Sequence, residues 1–156
     1  MTGGEALLRW SIRAAFVLYA AALAGWLRRR PRLAGWCWSL GCLTYLAHVA
    51  VAFHFYHGWS HAAAYRDTAR LASEMIGVDW GGGLYLNYAF TAAWAADVLS
   101  RRRLTASRWR IPLHAFLAFM WINATVVFGR GWMRWLGVAA AAGLAILGLT
   151  RPKAAR

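Results

Sequence analysis

Residues 34–57, AGWCWSLGCLTYLAHVAVAFHFYH, run for twenty-four positions without a single charged side chain. About 20 mostly apolar residues in an α-helix cross a hydrocarbon core about 30 Å thick, so this stretch predicts a transmembrane span. Working outward, four more stretches read the same way: Leu8 to Leu27, Trp80 to Leu99, Ile111 to Gly129 and Trp132 to Thr150. The expected fold is all-α: a polytopic membrane bundle of five helices, forming a single membrane domain over residues 1–156.

Composition supports the same class. The chain is 61% apolar and 15% charged, whereas a soluble domain carries roughly 45–50% apolar and about 25% charged residues. A net charge of +13 would suit a nucleic-acid binder, but 11 Trp set in long uncharged runs do not. No nucleic-acid partner is expected. Cys37 and Cys42 are five residues apart, which points them in different directions on a helix, so no disulfide is expected between them. There is no CxxC or CxxCH motif. The first apolar run is too long for a signal peptide, and Arg28, Arg29, Arg30 and Arg32 follow it as a stop signal rather than a cleavage site.

Divided by loop, the charge becomes an orientation signal. Arg28, Arg29, Arg30, Arg32, Arg101, Arg102, Arg103, Arg108, Arg110, Arg151, Lys153 and Arg156 fall on one side with Asp97. Arg9, Arg13, Arg66, Arg70, Arg130 and Arg134 fall on the other with Glu5, Asp67, Glu74 and Asp79, leaving +11 against +2. Positive loops stay cytoplasmic, so the N-terminus is expected outside and the C-terminus inside, in a bacterial inner membrane. Anionic lipids at the cytoplasmic face are then natural partners. Trp10, Trp59, Trp80, Trp132 and Trp135 mark outer boundaries and Trp26, Trp36, Trp38 and Trp109 inner ones, with only Trp94 and Trp121 inside spans.

The one long connection, Gly58 to Asp79, predicts a short outer-side helix over 61–76, capped by Ser60 and ended by Gly77. In the fifth span Gly137 and Ala141, and Ala139 and Gly143, place small residues four apart, where another helix can approach closely.

Four histidines crowd into HVAVAFHFYHGWSH: His48, His54, His57 and His61. If the helix continued, His54, His57 and His61 would fall within an arc of about 60°, at the outer headgroup level. Convergent imidazoles can hold Cu, Zn or Fe, and Asp79 or Glu74 could complete or orient such a site. The other reading makes these histidines amphipathic boundary residues, with Gly58 breaking the helix before they converge. Haem b is the alternative cofactor, but His48 and the remaining histidine, His114, lie at depths of about 21 and 5 Å and cannot share one haem within the chain. The HxxxH pair lacks the further histidine boxes of membrane di-iron enzymes, and HExxH is absent. No catalytic residue is identified.

A second constellation lies deeper. Asn87 and Asn123 share a depth of about 18 Å, with Tyr88 and Tyr45 near 16 Å and His48 in the same layer. Interhelical hydrogen bonding explains such a layer, and a quinone, proton or small-molecule site is the functional alternative. Asp97 precedes Arg101 by four residues, the spacing of an ordinary helical ion pair.

Two functions follow from these residues. One is a component of a membrane redox assembly whose outer histidines bind metal or haem. The other is a non-catalytic structural or assembly subunit whose helices pack against other membrane subunits or a second copy. A transporter protomer has less support, because no inverted repeat or pair of broken helices is present.

Overall fold

The computed structural model describes residues 3–100, 110–129 and 131–150. It is helical, with no strand among the described residues. Among the described residues six helices follow in order: α1 Gly3–Leu27, α2 Pro31–Ala52, α3 His61–Ile76, α4 Gly83–Leu99, α5 Arg110–Ile122 and α6 Trp132–Leu149. Two of them end in a wider π-helical turn, Phe53–His57 after α2 and Asn123–Val127 after α5. Three helices among the described residues are long and apolar enough to cross a membrane: α1, α2 with its π turn, and α6. Ile111–Val127 is a shorter apolar helix, and α4 is 17 residues long.

The tightest joint is the α1–α2 hairpin. Arg29 takes a left-handed conformation (φ 57°), the Arg30 amide donates to the Gly25 carbonyl at 2.8 Å, and Pro31 opens α2, where its missing N–H has no helical partner to lose. The two helices then touch along their whole length through small residues. A methyl group added at Gly25 would lie 3.0 Å from Ala34 Cβ, one at Gly41 would lie 3.3 Å from Leu18 Cβ, and one at Gly4 would meet the Phe55 ring at 2.8 Å.

The chain leaves α2 abruptly. Gly58 (φ 53°) and Trp59 (φ 59°) are both left-handed, and Ser60 Oγ then accepts from the Ala63 amide at 3.2 Å to start α3. Gly77, at φ 74°, ends it. α3 buries Ala64 and Ala72 and packs on the π turn of α2 and on the start of α4. Gly81 allows that approach, since a methyl there would stand 2.5 Å from the Tyr65 carbonyl oxygen.

The core is aromatic and belongs to α1, α2, α4 and α5. Phe16 stacks on Trp121 at 4.7 Å, Tyr19 meets Trp94 edge-on at 5.5 Å, and Trp38 lies 5.2 Å from Trp94 and 5.0 Å from Trp26. Trp38, expected at an inner boundary, is 1% exposed and central to this core. Trp10, Trp36, Trp59, Trp80, Trp132 and Trp135 are exposed. Cys37 and Cys42 are free thiols. α6 joins this core through Ala140 and Ala141; Gly137 is its buried residue, resting against Thr125, and its small residue Gly143 has open space around it.

Candidate functional site

The four clustered histidines do not converge. The expected common face assumed a continuous α-helix, but the π turn alters the angular step before Gly58 ends the helix, and His61 opens a new helix in another direction. Each imidazole has neighbours of its own. His48 Nδ1 lies 3.2 Å from the Leu8 carbonyl and 3.1 Å from Ser11 Oγ, so the tautomer protonated at Nδ1 donates into the first turns of α1. His54 is exposed and meets the Phe55 ring edge-on at 4.7 Å.

His57 Nδ1 comes within 3.2 Å of Asp67 Oδ2 on α3, an ion-pair distance without hydrogen-bond alignment. His61 engages α4 through both ring nitrogens, Nδ1 at 3.1 Å from Tyr88 Oη and Nε2 at 3.4 Å from Tyr85 Oη. A metal ligand needs a nitrogen lone pair that is not already engaged, which this arrangement does not leave on His61. Among the described residues no group of three or more His, Cys, Asp or Glu is placed to hold a metal ion.

The carboxylates expected to help lie elsewhere. Glu74 accepts from Arg70 Nη1 at 2.8 Å, one helical turn away, and Asp79 is exposed in the connection after α3. Asp67, which sequence spacing did not single out, is the one that approaches His57. Only the reversal at Gly58–Trp59 brings α3 back along the π turn, and that reversal is not visible as periodicity.

The polar layer also separates into parts. Tyr45 meets the Phe90 ring of α4 edge-on at 5.0 Å and lies 6.1 Å from the His48 ring, while His48 itself turns to α1. Tyr88 belongs to His61. Asn123 begins the second π turn, where its carbonyl accepts from the Phe128 amide at 2.9 Å. Asn87 is exposed, and its carbonyl accepts from Thr91 Oγ1 at 2.7 Å.

At the other end of the core, Trp38 Nε1 donates to Asp97 Oδ2 at 2.8 Å. This is a charge-assisted hydrogen bond from a nearly inaccessible indole, and it ties α2 to α4. Arg101, the partner expected from i, i+4 spacing, is outside the described residues, as are Arg102, Arg103, Arg108, Trp109, Arg130, Arg151, Lys153 and Arg156. His114 packs against Trp38 and Trp26 at 5.3 and 5.6 Å, far along the bundle from the turns of α1 that hold His48.

A cavity of about 680 Å³ opens between α1, α4 and the second π turn. Its wall runs from Arg9 and Arg13 on α1 past Phe16 and Asn87 to Tyr19 and Trp94. Sequence reading placed Asn87 and Tyr45 in a buried layer at similar depths but had no way to find the open volume, which lies where α5 and α6 meet α1. No protein-family model, curated protein or solved structure matches this chain.

Proposed function

We propose that the chain is a five-span protein of the bacterial inner membrane, N-terminus outside and C-terminus cytoplasmic, serving as a non-catalytic structural subunit of a membrane assembly. The charge division of +11 against +2 supports the orientation. At about 1.5 Å per residue, the 17 residues of α4 and the Ile111–Val127 helix each reach about 26 Å, within the mismatch a bilayer absorbs.

The carrying observation is how the histidines are used. His48 joins α2 to α1, His57 stands against Asp67 of α3, and His61 joins α3 to α4. Three of the four clustered imidazoles thus stand between helices, while His54 is exposed beside Phe55. The outward small-residue face of α6, with open space at Gly143 and Gly148, supports a helix-packing role.

A photo-crosslinking residue at Gly143 tests this in intact cells. The expected product is a discrete protein adduct, a partner subunit or a second copy, that disappears when Ala139 is changed to Leu. Crosslinking to lipid alone would remove the reading. So would stoichiometric metal or a haem absorbance band in the purified protein that is lost when His54, His57 and His61 are replaced, since that result would restore the redox alternative.

A further inference from the structure

The cavity between α1, α4 and α5 has a polarity gradient built along one helix. Arg9, Ile12, Arg13, Phe16 and Tyr19 line it at helical spacing, running from two cations to an aromatic end over about 15 Å. Like charges four residues apart on a helix repel, so the pair is unfavourable without a counter-charge. No carboxylate among the described residues lies within ion-pair distance of either arginine, and Glu5, one turn before Arg9, is not paired with it.

Arg13 is also held in place. Its guanidinium carbon lies 5.0 Å from the centre of the Trp10 ring and 4.8 Å from that of Trp132. A cation–π contact engages the charge of the guanidinium without using its N–H groups as conventional hydrogen-bond donors. Arg13 and Arg9 stand at one end of an apolar cleft, with Trp94 and Trp121 toward the other. Tyr19, Trp94 and Trp121 are 1%, 2% and 7% exposed, and the Tyr19 hydroxyl and both indole N–H groups have no hydrogen-bond partner among the described residues. The volume lies within the roughly 300–1,000 Å³ of small-molecule sites.

We propose that this cavity binds an anionic amphiphile, its head-group oxygens on the guanidinium groups of Arg9 and Arg13 and its apolar chain along Phe16 toward Trp94 and Trp121. The head-group chemistry is shared by a single-chain carboxylic acid and by the phosphate of a membrane phospholipid. The site is separate from the general attraction of anionic lipid to the arginine-rich loops, because it combines charge with an apolar cleft.

The test uses the full chain in nanodiscs of zwitterionic phosphatidylcholine. One arm adds isotope-labelled oleate and a second replaces part of the lipid with phosphatidylglycerol, with retained lipid read by native mass spectrometry. The expected result is one retained anion per chain, with affinity falling at least tenfold in the Arg9→Gln/Arg13→Gln variant and unchanged in Arg134→Gln. Oleyl alcohol, which lacks the charge, should bind at least tenfold more weakly than oleate. Filling the cleft by Ala124→Phe, or by Ile12→Phe should the first variant fail to fold, should abolish retention. Retention in the phospholipid arm alone, with the same arginine dependence, supports the proposal with phosphate as the head group. No retention in either arm, or retention indifferent to both arginines, overturns it.

Discussion

The α1–α2 hairpin and the α5–α6 pair are both antiparallel apolar helices joined by a short connection, yet they pack in different ways. In the hairpin, small residues meet at matched levels: Gly25 against Ala34 at one end, Gly41 against Leu18 midway, and Gly4 against Phe55 at the other end, with His48 on Leu8 and Ser11 between the last two. In the second pair the corresponding close approach is Gly137 on Thr125. Gly143 and Gly148 of α6 have nothing near them. Glycine allows a close approach, but a neighbour at the same level is needed to turn that permission into packing. The cavity lies along the seam between the well-fitted half and the loose one.

The hairpin should therefore tolerate least. Gly25→Leu would drive a side chain into the backbone of Ala34, whose nitrogen and Cα lie 3.2 Å from the position of an added Cβ. Overpacking of this kind costs about 1–3 kcal/mol, and more where backbone must move, so the fold should be lost or its unfolding midpoint in denaturant sharply lowered. Gly143→Leu on α6, the matched change in the loose half, should leave the midpoint of the isolated protein unchanged. Equal losses from both changes would mean that α6 is packed in a way this comparison does not recognise.

Next in size is the hydrogen bond from Trp38 to Asp97, which ties the hairpin to α4. Asp97→Leu would leave a buried indole N–H without its acceptor, at a cost of about 1–3 kcal/mol. Asp97→Asn should cost less than half of that, because the amide oxygen still accepts. In a Trp38→Phe background Asp97→Leu should cost less than in the parent, so the double-mutant cycle isolates the bond. A cycle with no coupling would show that Asp97 acts through other groups.

Much of this division could be read from the amino acids, and the reason it stopped where it did is physical. Apolar length is a property of contiguous residues, so the helices, the Ser60 cap and the Gly77 terminator were visible. Convergence of side chains depends on what the backbone does between them. The angular arithmetic for His54, His57 and His61 rests on 100° per residue, and a π turn followed by two left-handed residues removes that basis. Depth arithmetic placed Asn87, Asn123 and Tyr45 at similar levels but carries no information about rotation, and His48 turned toward α1 instead. The stripe of Arg9, Ile12, Arg13, Phe16 and Tyr19 was present in the sequence, but its meaning required knowing that no helix covers it.

A smaller effect should come from the close joint of α6 at Gly137. Gly137→Leu would meet Thr125 Cβ and Oγ1, each 2.9 Å from an added Cβ. Because α6 meets the aromatic core through the small side chains of Ala140 and Ala141 and adds no ring to it, the loss should be local, about 1 kcal/mol. Amide exchange should rise across 132–149 and stay unchanged in 3–57. A rise in both segments would mean that the loose half supports the hairpin.

The smallest change should follow removal of the Asp67 charge where α3 meets the π turn. Asp67 is 44% exposed, with His57 at 3.2 Å and Arg70 at 3.9 Å. Water and salt screen such pairs, and the contact with His57 lacks hydrogen-bond alignment, so Asp67→Asn should cost well under about 1 kcal/mol. The difference from the parent protein should shrink further between 0.05 and about 0.5 M salt, where the screening length falls from above 10 Å toward about 4 Å. Thermal unfolding in the same detergent at the two salt concentrations measures both quantities. Should Asp67→Asn cost more than Asp97→Leu and keep its effect at high salt, the ranking of core ties above rim ties would reverse, and α3 would have to be counted with the hairpin as part of the rigid half.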